Sequence, residues 1–182
     1  MKYSRGFTII ELLITTAILA ISLGLAAPSL SGYVAKSESR AVSANIRRNL
    51  GVARNMAMKF EETLTVCGVN SDMECVKKNF KSIIIFDDTD GNGVLDGDEV
   101  LHHASLLQYK GSLQLKATFG KKYIRFTPSG SAKQAGSFIY CDSKAPKYGT
   151  RITLSLTGRS YKGRDLDGDG IIELTNGKPI SC

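Results

Sequence analysis

Tryptophan is absent from the 182 residues, and histidine occurs only twice, as the adjacent pair His102 and His103. Neighbouring residues of a strand point to opposite faces, so these two make a poor paired metal site and read as structural or surface residues. No phosphate loop, dinucleotide fingerprint or nucleophile elbow occurs, so nucleotide-dependent and serine-hydrolase chemistry lack their motifs. Glu61 and Glu62 read as a solvated acidic pair. The chain therefore reads as a non-enzyme. Internal repeats and low-complexity linkers are also missing, which leaves one soluble domain behind an N-terminal segment.

Charge is nearly missing from one long stretch. Phe7 to Ala27 runs 21 residues with a single charge, Glu11. That length is enough to cross a bilayer as a helix. The stretch follows the short basic segment MKYSRG and precedes Pro28. A secretory signal would place a small-residue cleavage site after its apolar run. Here the small residue, Gly6, comes before it, so the run would stay on the processed protein. A carboxylate at Glu11 is costly in a membrane helix unless it is hydrated or paired. It either sits hydrated at the interface or pairs with a positive group of a neighbouring subunit, most simply a freed amino terminus at Phe7.

The stretch Gly6-Phe7-Thr8-Ile9-Ile10-Glu11-Leu12-Leu13 resembles the type III signal of type IV pilins and type II secretion pseudopilins. An ordinary signal anchor does not require that order. The resemblance implies cleavage after Gly6, N-methylation of Phe7 by a prepilin peptidase, and a role for Glu11 in subunit register. Losing Lys2 and Arg5 would lower the net charge from +7 to +5. The same two cations fit a cytoplasmic N-terminus with the remainder exported.

Past Pro28, Ala41, Ala44, Ile46, Leu50, Ala53, Met56, Ala57 and Phe60 recur mostly at three- and four-residue steps, the pattern of an amphipathic helix. Ser29, Ser31 and Gly32 weaken the join, so a kink is expected near Pro28. From Phe7 to Lys59 such a helix would run roughly 80 Å. Short β-rich segments follow at Thr63–Val66, Ser82–Phe86, Val100–His103, Leu113–Ala117, Tyr123–Thr127, Ser137–Cys141 and Arg151–Leu156. The expected architecture is α+β, a long N-terminal helix packed on an antiparallel β-sheet domain. Its expected parts are a leader at 1–6, a transmembrane or filament-core helix at 7–28, an amphipathic second half at 29–60 and a β-rich globular domain at 61–182.

Four cysteines in an exported chain allow three pairings. Turn-forming residues between Cys67 and Cys75 favour a local Cys67–Cys75 bridge. The other pair is then Cys141–Cys182, which would hold down the Gly- and Asp-rich tail. The alternative, zinc, is poorly served by these spacings.

The order of a local cysteine pair, SIIIF–DDTDGNGVLDGDEVL, YIRFTPSG, FIYC and RITLSLTGR is similar to the GspH/FimT/FimU group of minor pilins and pseudopilins. That resemblance implies a pilin fold and a subunit of a type IV pilus, acting in assembly or initiation within a tip complex. The implied partners are other minor and major pilins, the prepilin peptidase, the inner membrane and a tip adhesin. The implied location is the inner membrane, single-pass with a periplasmic globular domain, and then the pilus fibre. A type II secretion pseudopilin and a DNA-binding minor pilin for transformation are the competing readings.

Residues 88–99 place Asp88, Asp90, Asn92, the Val94 carbonyl, Asp96 and Glu99 at the ligand positions of a calcium loop, with Gly93 at the turn. Strands rather than helices flank it, so a solvated hairpin loop is the competing reading. Asp165, Asp167, Asp169 and Glu173 begin a second such loop, but Asn176 stands where a bidentate Glu belongs, and this one reads as a turn. The C-terminal half is basic. The resemblance to DNA-uptake pilins rests on Thr157-Gly158-Arg159, with Tyr161 at the place of a second Arg. Arg159, Lys162 and Arg164 are the candidate DNA contacts, against a scattered, solvated charge surface.

Overall fold

The structure, a computed structural model, describes residues 6–143, 146–174 and 177–180, with backbone alone over 23–31 and at 146. Two compact units divide it, one ending at Ser37 and one beginning at Glu38. Helix α1 (Ile9–Phe60) is helical throughout, Pro28 included. A proline removes one backbone hydrogen bond, and the bonds of its neighbours carry the helix on.

In the first unit, Thr8 caps α1. Its hydroxyl accepts from the Glu11 amide at 3.3 Å, and its carbonyl accepts from Leu12 N at 3.2 Å. Glu11 lies in the first turn, where a carboxylate complements the helix dipole. The hydroxyls of Thr15, Thr16 and Ser22 each donate to a carbonyl three or four residues back. These polar side chains therefore present no unmet donor to an apolar environment. Among the described residues, no helix is long and apolar enough to cross a membrane. The end of the apolar run, from residue 23, contributes no described side chain.

In the second unit α1 buries Val42, Ile46, Leu50, Ala53 and Ala57, a stripe at four- and three-residue steps. Nine strands follow in chain order: β1 (Leu64–Val69), β2 (Cys75–Val76), β3 (Ser82–Phe86), β4 (Leu101–Leu106), β5 (Ser112–Ala117), β6 (Tyr123–Phe126), β7 (Gly136–Cys141), β8 (Thr150–Leu154) and β9 (Ser160–Lys162). They form two antiparallel sheets where the sequence predicts one. The first runs β2-β1-β3-β4 with β6 also on β1, and the second runs β5-β7-β8-β9. The helix stripe meets the inner face of both, through Leu64, Val66, Ile83, Ile85 and Phe126 of one and Leu113, Leu115, Phe138, Tyr140, Ile152 and Leu154 of the other.

Strands β1 and β7 are buried along their whole length, so their outer faces are covered as well. Cys67, Val69, Cys75, Ile84, Phe86 and Tyr123 make the outer cluster of the first sheet, with Leu95 of the acidic loop on it. The Cys67–Cys75 disulfide lies in this cluster. Ile139, Cys141 and Ile180 make the outer cluster of the second sheet, joined by Ile171, Ile172 and Leu174. The tail is therefore held by apolar side chains and by the Ile180 amide on the Ile172 carbonyl, 2.9 Å. The Cys141–Cys182 pairing involves Cys182, outside the described residues, and no described cysteine is free.

One tyrosine joins the helix to the second sheet, and another packs on it. Tyr140 donates to Glu38 Oε1 of α1 at 2.7 Å, and Lys110 N reaches the same oxygen at 2.6 Å. Tyr109 packs on Tyr140 edge-on and donates to the Phe80 carbonyl at 2.5 Å. Burial pushes Tyr109 up to about 12. Burial, and then the bond to Glu38, push Tyr140 up as well. The folded state thus holds these phenolic protons more tightly than the unfolded chain, whose tyrosines titrate near ~10. Stability is present in full below pH ~10. It falls as pH rises toward about 12. Urea midpoints across that window should fall, and Tyr109→Phe should flatten part of the decline.

Candidate functional site

Three surfaces carry the residues that the sequence singles out. The first is the start of α1. Nine apolar side chains between Phe7 and Ile21 are more than half exposed, and those on α1 occupy its circumference except a sector of about 100° that holds Glu11, Thr15 and Ser22. So broad an apolar surface needs a covering, either other helices or lipid. Glu11 is the lone charge on it and is exposed. Gly6 and Phe7 precede the helix in irregular, exposed chain.

The second surface is the acidic loop, which links β3 to β4. Ligand atoms of Asp88, Asp90 and Glu99 lie within 4.8 Å of one another. The turn is the one the spacing predicts. Gly93 N donates to Asp88 Oδ1 at 3.1 Å, Asn92 N to Asp90 Oδ1 at 2.9 Å and Val94 N to Asn92 Oδ1 at 2.6 Å. Asp96 accepts from the Asn92 amide, and Glu99 accepts from the Thr89 and Asp96 backbone. Asp88, however, already has a cation. Arg125 of β6 pairs with its Oδ2 at 2.9 Å, and Thr65 of β1 donates to the same oxygen at 2.9 Å. The Asp88 side chain is 0% exposed. Arg125 also bonds the Gly91 carbonyl. Gly93 has φ +78°, and an added Cβ there would lie 2.2 Å from the Tyr123 ring. Packing alone thus requires this glycine, and the guanidinium already balances the first ligand position. The oxygen donors of the loop fit calcium, provided Arg125 yields its contact with Asp88. In the second acidic loop, atoms of Asp165, Asp167, Asp169 and Glu173 also lie within 4.8 Å of one another.

The third surface is a groove of about 700 Å³ between α1, β8, β9 and the tail. Arg47, Arg151, Tyr161, Lys162, Arg164 and Glu173 are among its lining residues. The structure thus brings Lys162 and Arg164 together and adds Arg47 of the helix and Arg151 of β8. Arg159 lies outside the lining, exposed on the turn before β9. Arg151 donates to Ser137 Oγ at 3.1 Å, and burial lowers its pKa. Arg47 is the member that sequence reasoning misses. On its own it looks like one more cation on the polar face of a helix. Gly158 has φ +74°, and a Cβ there would meet the Gly130 carbonyl oxygen at 2.0 Å. The glycine of Thr157-Gly158-Arg159 is therefore needed to seat this turn against the loop after β6.

Comparison with known families bears on these surfaces together. The prokaryotic N-terminal methylation motif matches residues 1–27. The family described as type II transport protein GspH matches residues 43–158, more than half of the chain. The chain belongs to the GspH family. A crystal structure of the type IV minor pilin FimU from Pseudomonas aeruginosa shares the fold of this GspH-family protein. It has a TM-score of 0.55 and 17% identity, over 82% of this chain and 98% of FimU. A second crystal form of FimU gives 0.50 and 16%, over 69% of this chain and 92% of that one. The minor pseudopilin EpsH from the type 2 secretion system of Vibrio cholerae gives 0.45 and 15%, over 69% of this chain and 95% of that one. No curated protein matches. The GspH match includes the first sheet, the acidic loop and strands β5, β7 and β8 of the second sheet, and it ends at Gly158, before β9 and the tail.

Proposed function

We propose that this GspH-family protein is a minor pilin of a type IV pilus, acting in assembly or initiation within a tip complex. The carrying observation is the methylation motif joined, through the uncovered apolar start of α1, to a domain that shares the FimU fold. In this reading the prepilin peptidase cuts after Gly6 and methylates Phe7. The helix waits in the inner membrane with the globular domain on the periplasmic side. It then packs among other minor and major pilins, where apolar burial supplies affinity and Glu11 sets register. The domain surface is left for neighbouring pilins or a tip adhesin. No step of the reading needs catalysis by this chain. Deleting the gene should abolish or sharply reduce surface pili while leaving secreted enzymes unchanged. The opposite outcome would make the protein a type II secretion pseudopilin, as the family description suggests.

The cationic groove favours a second reading, DNA capture by the same subunit. Four cations line one concave surface, and phosphate contacts release counterions. Retention of double-stranded DNA should fall steeply with salt, and Arg47→Ala/Arg164→Ala should reduce it at every sequence tested. Absence of retention at low salt would remove DNA from the account. For the 88–99 loop the reading takes calcium as the ligand, and calorimetry without heat at millimolar calcium would retire it.

A further inference from the structure

We propose that Glu62, Asp87 and His102 form a binding site for a divalent transition metal, with zinc the ion their donor set fits best. The three come from separate elements. Glu62 follows the end of α1, Asp87 follows β3, and His102 is the second residue of β4. The β3–β4 register pairs Ile85 with His103 and Phe86 with Leu101, so His102 is the extra residue of a β-bulge. Bulges re-aim side chains. This one turns the His102 ring onto Phe60, with centroids 5.1 Å apart and planes 29° apart.

That placement leaves an unmet need. His102 Nε2 is out of contact with solvent and has no hydrogen-bond partner. A buried polar atom without a partner costs free energy comparable to a lost hydrogen bond. One ligand atom from each of His102, Glu62 and Asp87 lies within 4.8 Å of the others. Among the described residues, none of the three is hydrogen-bonded or ion-paired to another. Asp87 Oδ1 accepts from Val100 N, which orients that carboxylate. A metal–nitrogen bond would give the imidazole its missing partner, and two carboxylates would balance the charge. One imidazole with two carboxylates is a zinc-type donor set with a fourth position open, whereas calcium takes oxygen donors. Zinc bonds of about 2.0–2.2 Å would draw the three side chains together by roughly an ångström. Its three ligands differ from those of the acidic loop, although Glu62 and Asp87 line one pocket with Asp88, Asp90 and Arg125. The site would fasten the exit of α1 to the β3–β4 hairpin.

The test uses the full-length chain purified in detergent and titrated with zinc chloride alone. Calorimetry should show one equivalent bound. In nitrogen-15 spectra the His102 ring should shift on zinc addition while His103, the other histidine of the chain, stays put. His102→Gln and Glu62→Gln should each weaken binding about tenfold or more, while Asp90→Asn should leave it unchanged. Glu62 is exposed and carries no ring contact, so Glu62→Gln decides the matter even if His102→Gln misfolds. An unmoved His102 ring, or zinc affinity unaltered in Glu62→Gln, would overturn the proposal.

Discussion

Arg125→Ala is expected to lower the unfolding free energy by about 3–5 kcal/mol, the range for removing one partner of a buried ion pair. The reason is geometric. The Asp88 side chain is fully buried while that of Arg125 is 15% exposed, so the substitution strands a carboxylate rather than a surface cation. Thr65 and Gly93 N would still donate to Asp88, which keeps the effect from running higher. Arg125 also holds the Gly91 carbonyl, so the acidic loop should loosen as well. Urea denaturation of the wild type and the variant measures the loss. The same variant bears on calcium. With the guanidinium gone, millimolar calcium should recover part of the lost stability if the loop is a calcium site, and none if Arg125 was its only counterion. A loss under about 1 kcal/mol would mean that Asp88 is solvated in solution, contrary to its buried position.

Glu11→Ala should leave the chain in the membrane and cut its incorporation into filaments by an order of magnitude or more. A carboxylate in an apolar helix costs about 2.5–3.5 kcal/mol to insert, so removing it eases insertion. On the proposed reading, what is lost is the partner for a neighbour's amino terminus. A local explanation can be set apart from this one. The cap on α1 is the Thr8 hydroxyl on the Glu11 backbone amide, which survives any side chain at position 11. Helix content should therefore stay constant in Glu11→Ala and in Glu11→Gln, while both fail to assemble. Normal incorporation of either variant, scored by immunoblot of sheared filaments, would remove Glu11 from subunit register.

Local patterns made much of this legible in advance. The apolar run and its single carboxylate are readable directly, and the helix stripe in part, because a helix repeats every 3.6 residues: Ile46, Leu50, Ala53 and Ala57 are buried as expected, whereas Ala41, Ala44 and Phe60 are exposed and Val42 is buried instead. The existence of most strands was readable as well, though Arg151–Leu156 ends two residues early, where Ser155 to Gly158 form a turn. The two-sheet division was not, because it depends on β1 pairing with β3 and β6, contacts that no short window contains. Strand β2 is two residues long and β9 is three, too short to show alternation. The acidic loop was readable as a motif, but its counterion stands 37 residues further on. The bulge at His102 was likewise invisible. Alternation predicts opposite faces for His102 and His103 without saying what either face meets. In the tail, Ile171, Ile172 and Ile180 were plainly apolar, yet only the fold shows the outer face of β7 beneath them.

The bond from Tyr140 to Glu38 also bears on how the domain would take mechanical load. Tension carried along α1 would not enter the second unit only through greasy side chains, which slide past one another with little resistance. It would first meet a charged acceptor held from two sides, by Tyr140 of β7 and by the backbone ahead of β5. Bonds to a charged group are worth about 1.5–3 kcal/mol each, and they are short-ranged, so they yield abruptly. Glu38 would then act as a shear pin, keeping helix and sheet in step under pull until it gives way.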